Sequence, residues 1–160
     1  MTQFDSALDW IFRAEGGWAN IPGDRGGPTR YGISSVAFPH VDLETLTREE
    51  AAAIYRRVFW YGMHCDELYY EHVRLLLFDC AVLFGVPGAT RVVQYVLGVK
   101  ADGVFGPVTL QALKWAVPSN LVEGVLKRRL RFHLLQAQQP DQSQFLHGWL
   151  NRLLELSLRM

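Results

Sequence analysis

Three side chains that could act together in acid–base chemistry lie in a glycine-rich stretch near the N-terminus. Glu15 is followed by Asp24 and Thr29 in the pattern E-x8-D-x4-T. Cleavage of a glycosidic bond needs two carboxyl groups, since one protonates the leaving oxygen while the other activates water or supports a cationic sugar transition state. A nearby hydroxyl can orient that water. A Glu and an Asp at this spacing also occur by chance, so the hypothesis depends on the glycine-rich frame around them.

An amphipathic helix is predicted to hold Glu15 in its last turn. Apolar residues recur at helical spacing on one face, at Phe4, Leu8, Ile11 and Phe12. Thr2, Asp5 or Ser6 could cap the start of this helix. Gly16 and Gly17 follow Glu15 directly, where a left-handed residue commonly ends a helix. The next twenty or so residues are rich in glycine and proline, which predicts a loop or small hairpin that folds back over the helix end.

The remainder of the chain has helical patterns and no strand-rich region after residue 40. Thr47 and Glu50 have the spacing of a capping box, which opens a helix to about Tyr61. Further helices are predicted over residues 73–84, 88–97, 107–115, 119–138 and 143–158. The fold class is therefore mainly α. We expect residues 1–70 to form a site-bearing lobe and residues 71–160 a helical lobe, packed together as one compact unit.

Composition and cysteine usage exclude several classes of function. The chain has 16 basic and 16 acidic residues, so it lacks the positive field typical of nucleic-acid binding. Charged residues interrupt the N-terminal apolar pattern, so a signal peptide is not expected, and neither is membrane insertion. Cys65 and Cys80 are too few for a disulfide scaffold, and we expect two buried reduced thiols. They form no zinc-ligand spacing with His64 or His72, so no metal or cofactor is predicted.

A group of aromatic residues and one interior acid are the remaining candidates. Trp60, Tyr61, Tyr69 and Tyr70 could pack in the core and at its rim, or some could form a platform on which a sugar stacks. Asp79 is the only acid inside the apolar segment 73–84, and a buried Asp needs a partner, either an Arg or a loop group. The candidate substrate-binding residues are Tyr31, Trp60, Tyr61 and Asp79.

Several motifs of the chain together resemble one family. Glu15-Gly16-Gly17 and the segment DRGGPTRYGI that begins at Asp24 resemble the EGG...DxGGxTxxGI signature of the glycoside hydrolase family 108 muramidases of phages and bacteria. The segment from Phe78 to Gly85 resembles the middle of that family, apart from Leu83, where the family commonly has Asn. The stretches GVKADGVFGPVT and GWLNR resemble its C-terminal part, described as a predicted peptidoglycan-binding region. The resemblance covers nearly the whole chain.

The resemblance implies a lysozyme-like helical fold and hydrolysis of the β-1,4 bond between N-acetylmuramic acid and N-acetylglucosamine in peptidoglycan. Glu15 matches the family's catalytic Glu, and Asp24 and Thr29 match its loop Asp and Thr. Glu15 would act as the general acid, while Asp24 and Thr29 position water, which predicts inversion; a covalent, retaining route is the alternative. A non-catalytic wall-binding module and a lytic transglycosylase that leaves an anhydro sugar are the competing functions.

The biological setting follows from the same resemblance. We expect a monomer that is made in the cytoplasm and acts in the periplasm or on the cell wall. It would reach the wall either as an endolysin released by a holin or as an antibacterial effector delivered by a secretion system. An immunity protein would be a partner in the second case only.

Overall fold

The computed structural model describes residues 2–20 and 27–160. These residues form mainly helices with one small sheet, which confirms the predicted fold class. The chain divides into two compact units between Val58 and Phe59. Each unit is described separately below.

The first unit begins with helix α1, Gln3–Glu15. Its N-terminus is a capping box, in which the Thr2 side chain accepts from the Asp5 N–H and the Asp5 carboxylate accepts from the Thr2 N–H. One face is buried, at Phe4, Ala7, Leu8, Trp10 and Ile11. These observations confirm the predicted helix, its capped start and its end at Glu15.

Three two-residue strands follow α1. They are β1 (Trp18–Ala19), β2 (Thr29–Arg30) and β3 (Ile33–Ser34), in the order β1-β2-β3 with both pairs antiparallel. Trp18 pairs with Arg30, and Arg30 pairs with Ile33. The predicted small hairpin is therefore β2–β3.

Helix α2, Arg48–Ile54, completes the first unit together with the start of a π-helix, Tyr55–Trp60. The predicted capping box between Thr47 and Glu50 is present at its N-terminus. Two arginines attach this segment to α1, since Arg48 lies over the Phe12 ring at 4.7 Å and Arg56 lies over the Phe4 ring at 4.2 Å.

The second unit contains four further helices in the described part of the chain. After a 3₁₀ turn at Cys65–Glu67 come α3 (Glu71–Leu97), α4 (Pro107–Trp115) and α5 (Pro118–Gln136). A second 3₁₀ turn, Ser143–Phe145, precedes α6, Leu146–Ser157. Helix α3 packs against α4 and α5, and α5 packs against α6. The core is built from α3 and its neighbours and includes Trp60, Met63, Leu76, Leu77, Phe78, Val93, Val125 and Leu156.

Helix α3 is kinked where the sequence predicted a break. Gly85 has φ 69° and ψ 160°, outside helical geometry, and Gly98 ends the helix in the left-handed conformation. By length and composition this is the one helix among the described residues that would suffice to cross a membrane. Half of its most apolar window is buried within the fold, and core helices of this kind pass the same test.

A buried charge cluster joins three helices of the second unit. Asp79 on α3 is fully buried, and its carboxylate pairs with Arg129 of α5 at 2.7 Å and with Arg152 of α6 at 2.8 Å. The His133 ring lies nearby on α5 and stacks on Trp149 with centroids 5.3 Å apart. The cluster supplies the Arg partner that the sequence predicted for a buried Asp. Cys65 and Cys80 are both buried free thiols.

Candidate active site

Glu15 lies at the C-terminal end of α1, half-buried, because the backbone leaves the helix at the next residue. Gly16 has φ 75° and ψ −160°, a conformation that is essentially restricted to glycine, and its N–H donates to the Phe12 carbonyl at 3.1 Å. The chain therefore turns away immediately after Glu15, and the side chain of Glu15 is left at the helix end.

The β2–β3 hairpin returns the chain to this helix end. Tyr31 and Gly32 form its two-residue turn, and both have positive φ, 51° and 76°. Two consecutive positive φ values are typical of the type I′ turn, whose twist matches that of paired strands. The Tyr31 N–H donates to the Gly17 carbonyl at 3.0 Å, so the turn is hydrogen-bonded to the segment that follows α1.

Gly32 is in direct contact with the side chain of Glu15. A Cβ atom at Gly32 would lie 2.6 Å from Cγ and 2.8 Å from Cβ of Glu15, and it would also overlap the Tyr55 hydroxyl. Only a residue without a side chain allows this approach. The predicted role of the glycines, that of letting the loop fold back over the helix end, is confirmed at Gly32.

Tyr55 supports the hairpin turn, although the sequence analysis did not single it out. Its side chain is fully buried, and its hydroxyl donates to the Tyr31 carbonyl at 2.9 Å. Its ring also contacts Phe12 edge-on, with centroids 5.8 Å apart. Tyr55 thus connects the hairpin turn to α1 and to the π-helix at whose first position it stands. The available signal was chemical, since a buried tyrosine hydroxyl needs a hydrogen-bond partner.

Arg30 also holds the hairpin in place, through contacts with the segment before α2. Arg30 of β2 donates to the carbonyls of Leu43, at 3.1 Å, and of Glu44. Its guanidinium also lies 5.6 Å from the centre of the Tyr31 ring. These bonds fix the hairpin to the segment before α2, so the turn at Gly32 has a defined position over Glu15.

Three of the four predicted site residues of the first unit lie in the described part of the chain. Glu15 and Tyr31 belong to the same local cluster, since Gly32, the residue after Tyr31, packs on the Glu15 side chain and the Tyr31 ring contacts Phe12 at 5.9 Å. Thr29 is half-buried in β2, opposite Ala19 on one side and Ser34 on the other. Asp24 lies outside the described residues.

The other predicted site residues belong to the second unit. Trp60 is buried, with its indole N–H donating to Asp66 at 2.7 Å and its ring edge-on to Phe78 at 5.4 Å. Tyr61 is about half exposed, whereas Asp79 is fully buried in the charge cluster. These placements give Trp60 and Asp79 structural partners, and their predicted substrate contacts stay predictions.

The chain is similar to two family models and to solved structures of known proteins. The family model described as Glycosyl hydrolase 108 matches residues 8–85, and the one described as Predicted Peptidoglycan domain matches residues 88–154. Among solved structures, SagA of Brucella abortus is similar, with a TM-score of 0.83 and 30% sequence identity. That match covers 98% of this chain and 92% of the SagA chain. No protein of curated function matches.

Proposed function

The chain belongs to the glycosyl hydrolase 108 family, and from that premise we propose that it hydrolyses the β-1,4 bond between N-acetylmuramic acid and N-acetylglucosamine, with Glu15 as general acid. The two family matches support a glycoside hydrolase that acts on peptidoglycan. They also confirm the family resemblance seen in the sequence. The particular bond, the acid and the mechanism are the proposal.

The position of Glu15 carries this proposal. Its side chain packs on Gly32 in the hairpin turn, and that turn is hydrogen-bonded to both Gly17 and Tyr55. A general acid must be held within hydrogen-bond reach of one substrate oxygen, and it works best when its support is rigid. Glu15 combines such support with partial exposure of the residue to solvent.

The proposed reaction is a single displacement with inversion. The Glu15 carboxyl gives its proton to the glycosidic oxygen as the bond from that oxygen to the anomeric carbon breaks. Water attacks the anomeric carbon from the opposite face and loses a proton to the Asp24 carboxylate, with Thr29 orienting the water. Inversion requires carboxyl groups about 6.5–9.5 Å apart, whereas the retaining route requires about 5 Å and a covalent intermediate.

Digestion of purified sacculi followed by mass analysis of the released muropeptides tests the bond and the acid together. Because a general acid contributes about 10²–10⁴-fold, Glu15→Gln should lose at least about 100-fold in muropeptide release while keeping its circular dichroism spectrum. Glu123→Gln is the matched control, since that carboxyl lies on the surface of α5 and pairs only with Lys127 in the described structure. Comparable release by Glu15→Gln and wild type would refute the assignment.

The products separate the competing functions. Hydrolysis leaves a reducing N-acetylmuramic acid, a lytic transglycosylase leaves the anhydro form, and a wall-binding module sediments with sacculi and releases nothing. The anomeric configuration of the first product, followed by NMR, distinguishes inversion from retention. Asp24→Asn should lower turnover in the inverting scheme, since the water then has no base.

The setting in which the enzyme acts is part of the same proposal. It acts as a monomer on the cell wall, which it reaches after holin release or through a secretion system. Light scattering of the purified chain measures the oligomeric state. A neighbouring holin gene or immunity gene would identify which of the two routes applies.

A further inference from the structure

A pocket lies within the second unit, between the segment before α3 and the end of α4. Its volume is about 220 Å³. Its floor is apolar and made of side chains that are themselves buried, namely Leu68, Val73, Leu113 and Leu121. Pockets for drug-sized ligands measure about 300–1,000 Å³, so this one suits a single ring.

The rim of this pocket carries two exposed aromatic rings. Tyr69 is 86% exposed and Tyr70 is 47% exposed, and the two rings meet edge-on at 5.0 Å. Packing within the unit does not explain the Tyr69 ring, because most of its surface is exposed to solvent. Adjacent exposed aromatic rings beside an apolar recess are instead typical of a surface that receives a ligand.

A fixed pair of polar groups completes the rim. Glu67 accepts from Lys114 at 3.4 Å through one carboxylate oxygen, and its other oxygen lies 2.7 Å from Nδ1 of His64. The hydrogen bond from His64 lowers the pKa of Glu67, as does the contact with Lys114, so the carboxylate is an ionised acceptor at neutral pH. Glu67 and Lys114 also neutralise each other, and the pocket mouth therefore presents hydrogen-bonding groups without net charge.

The turn before α4 supports the Glu67 carboxylate. The ring of Phe105 stacks on His64, with centroids 4.9 Å apart and planes 18° from parallel. The side chain of Gln94 holds the turn, since its amide donates to Asp102 at 2.9 Å and its oxygen accepts from the Gly103 N–H at 2.9 Å. A buried glutamine thus fixes the turn, and the turn fixes the His64 ring beside Glu67.

We propose that this pocket binds one N-acetylhexosamine unit of the glycan strand through residues other than those assigned to catalysis. A sugar ring has an apolar face that can stack on Tyr69 or Tyr70, and its hydroxyl groups can bond to Glu67 and Lys114. The acetamido methyl group fits the apolar floor. A mouth without net charge favours this neutral ligand over the charged stem peptide. The proposal rests on the proposed function for the identity of the glycan, and on the pocket alone for the binding chemistry.

The test uses the full chain with Glu15→Gln, labelled for NMR and titrated with tri-N-acetylchitotriose. Shifts are expected at residues 67–73 and 113–121, and cellotriose, which lacks the acetamido groups, should bind more weakly. Tyr69→Ala should weaken the binding seen at these residues by about fivefold to tenfold, the scale of one aromatic contact. Tyr95→Ala is the matched control, since Tyr95 is 62% exposed and does not line the pocket.

Two outcomes overturn the proposal: no shifts at residues 67–73 and 113–121, or equal binding there by Tyr69→Ala and Tyr95→Ala. Release of muropeptides by the wild-type chain is measured in parallel. Release without shifts in the pocket refutes the pocket and leaves the proposed function in place. Shifts that depend on Tyr69, without any release, support the pocket and refute the proposed hydrolysis.

Discussion

Replacement of Gly32 by alanine tests whether the hairpin turn positions Glu15. The substitution adds one methyl group at the point where the turn, Glu15 and Tyr55 meet. Two effects make an alanine unfavourable at this position, namely the backbone conformation and the close packing. The backbone of Gly32 has φ 76°, and the new Cβ would lie 2.6 Å and 2.8 Å from two carbon atoms of Glu15, well inside the usual carbon–carbon contact of about 3.5–4.0 Å.

The expected cost follows from these two effects. A left-handed conformation costs a residue with a Cβ about 1–2 kcal/mol. Forcing a methyl group into an occupied space adds about 1–3 kcal/mol. The sum of about 2–5 kcal/mol is below the total stability of many domains, about 5–15 kcal/mol, so we expect a folded but weakened chain. The methyl group displaces the side chain of Glu15, and a shift of 1 Å in a catalytic group can cost about 10²-fold in rate.

Two neighbouring glycines provide controls that separate the effects. Gly16 has positive φ, but no heavy atom of the described residues lies within 4 Å of a Cβ placed there, so Gly16→Ala reports conformational cost alone. Gly17 has neither positive φ nor such a contact among the described residues, so Gly17→Ala should change stability little. The assays are urea unfolding and muropeptide release for all three variants.

The decisive comparison is between Gly32→Ala and Gly16→Ala. If close packing on Glu15 matters, Gly32→Ala loses more activity than Gly16→Ala at any given loss of stability. Wild-type turnover by a folded Gly32→Ala variant would refute the reasoning, because Glu15 would then tolerate displacement. Equal losses in the two variants would show that backbone conformation alone explains the effect.

Three further predictions concern the second unit. Burial, followed by the nearby Arg129 charge, lowers the pKa of His133 from 6.5 to about 4. The free energy of unfolding should therefore be highest above pH 6.5 and fall by about 3 kcal/mol as the pH drops toward 4. Urea unfolding at several pH values measures this decrease, and His133→Phe should remove it. Asp79→Asn should cost about 3–5 kcal/mol, because Arg129 is left as a buried charge without its carboxylate partner; normal stability with a raised KM would instead support the predicted substrate contact of Asp79. Burial raises the pKa of the Cys80 thiol to about 12, so a thiol reagent at pH 8 should modify it only after unfolding, and rapid modification of the folded chain would contradict its burial.

The parts of the fold that were predicted from the sequence are those that nearby residues determine. The stop after Glu15 depends on Gly16, and the start of α2 depends on Thr47 and Glu50, three residues apart. The kink in α3 needs only Gly85 and the proline that follows. Caps, stops and breaks of this kind are encoded within one helical turn, so their sequence patterns are specific.

The support of Glu15 could be predicted only in part, because it combines local and distant residues. A glycine at position 32 indicated a turn, but not which atoms would meet it. Tyr55 lies 24 residues from the Tyr31 carbonyl that its hydroxyl contacts, and the sequence around Tyr55 predicted a helix without indicating this contact. No local pattern specifies which acceptor a buried hydroxyl will find.

Glu15 and Asp79 also differ in how far along the sequence their contacts lie, and this difference bears on their proposed functions. The side chain of Glu15 packs on Gly32, whose turn is held by Tyr55 of the same unit, whereas Asp79 meets Arg152 across 73 residues of sequence. Asp79 is fully buried and paired with two arginines, while Glu15 is half-buried at a helix end. A carboxylate held between two arginines is kept in its charged form and is therefore poorly suited to give a proton to a ligand. This contrast supports the proposal that Glu15 is the acid, and the substrate contact of Asp79 stays a prediction.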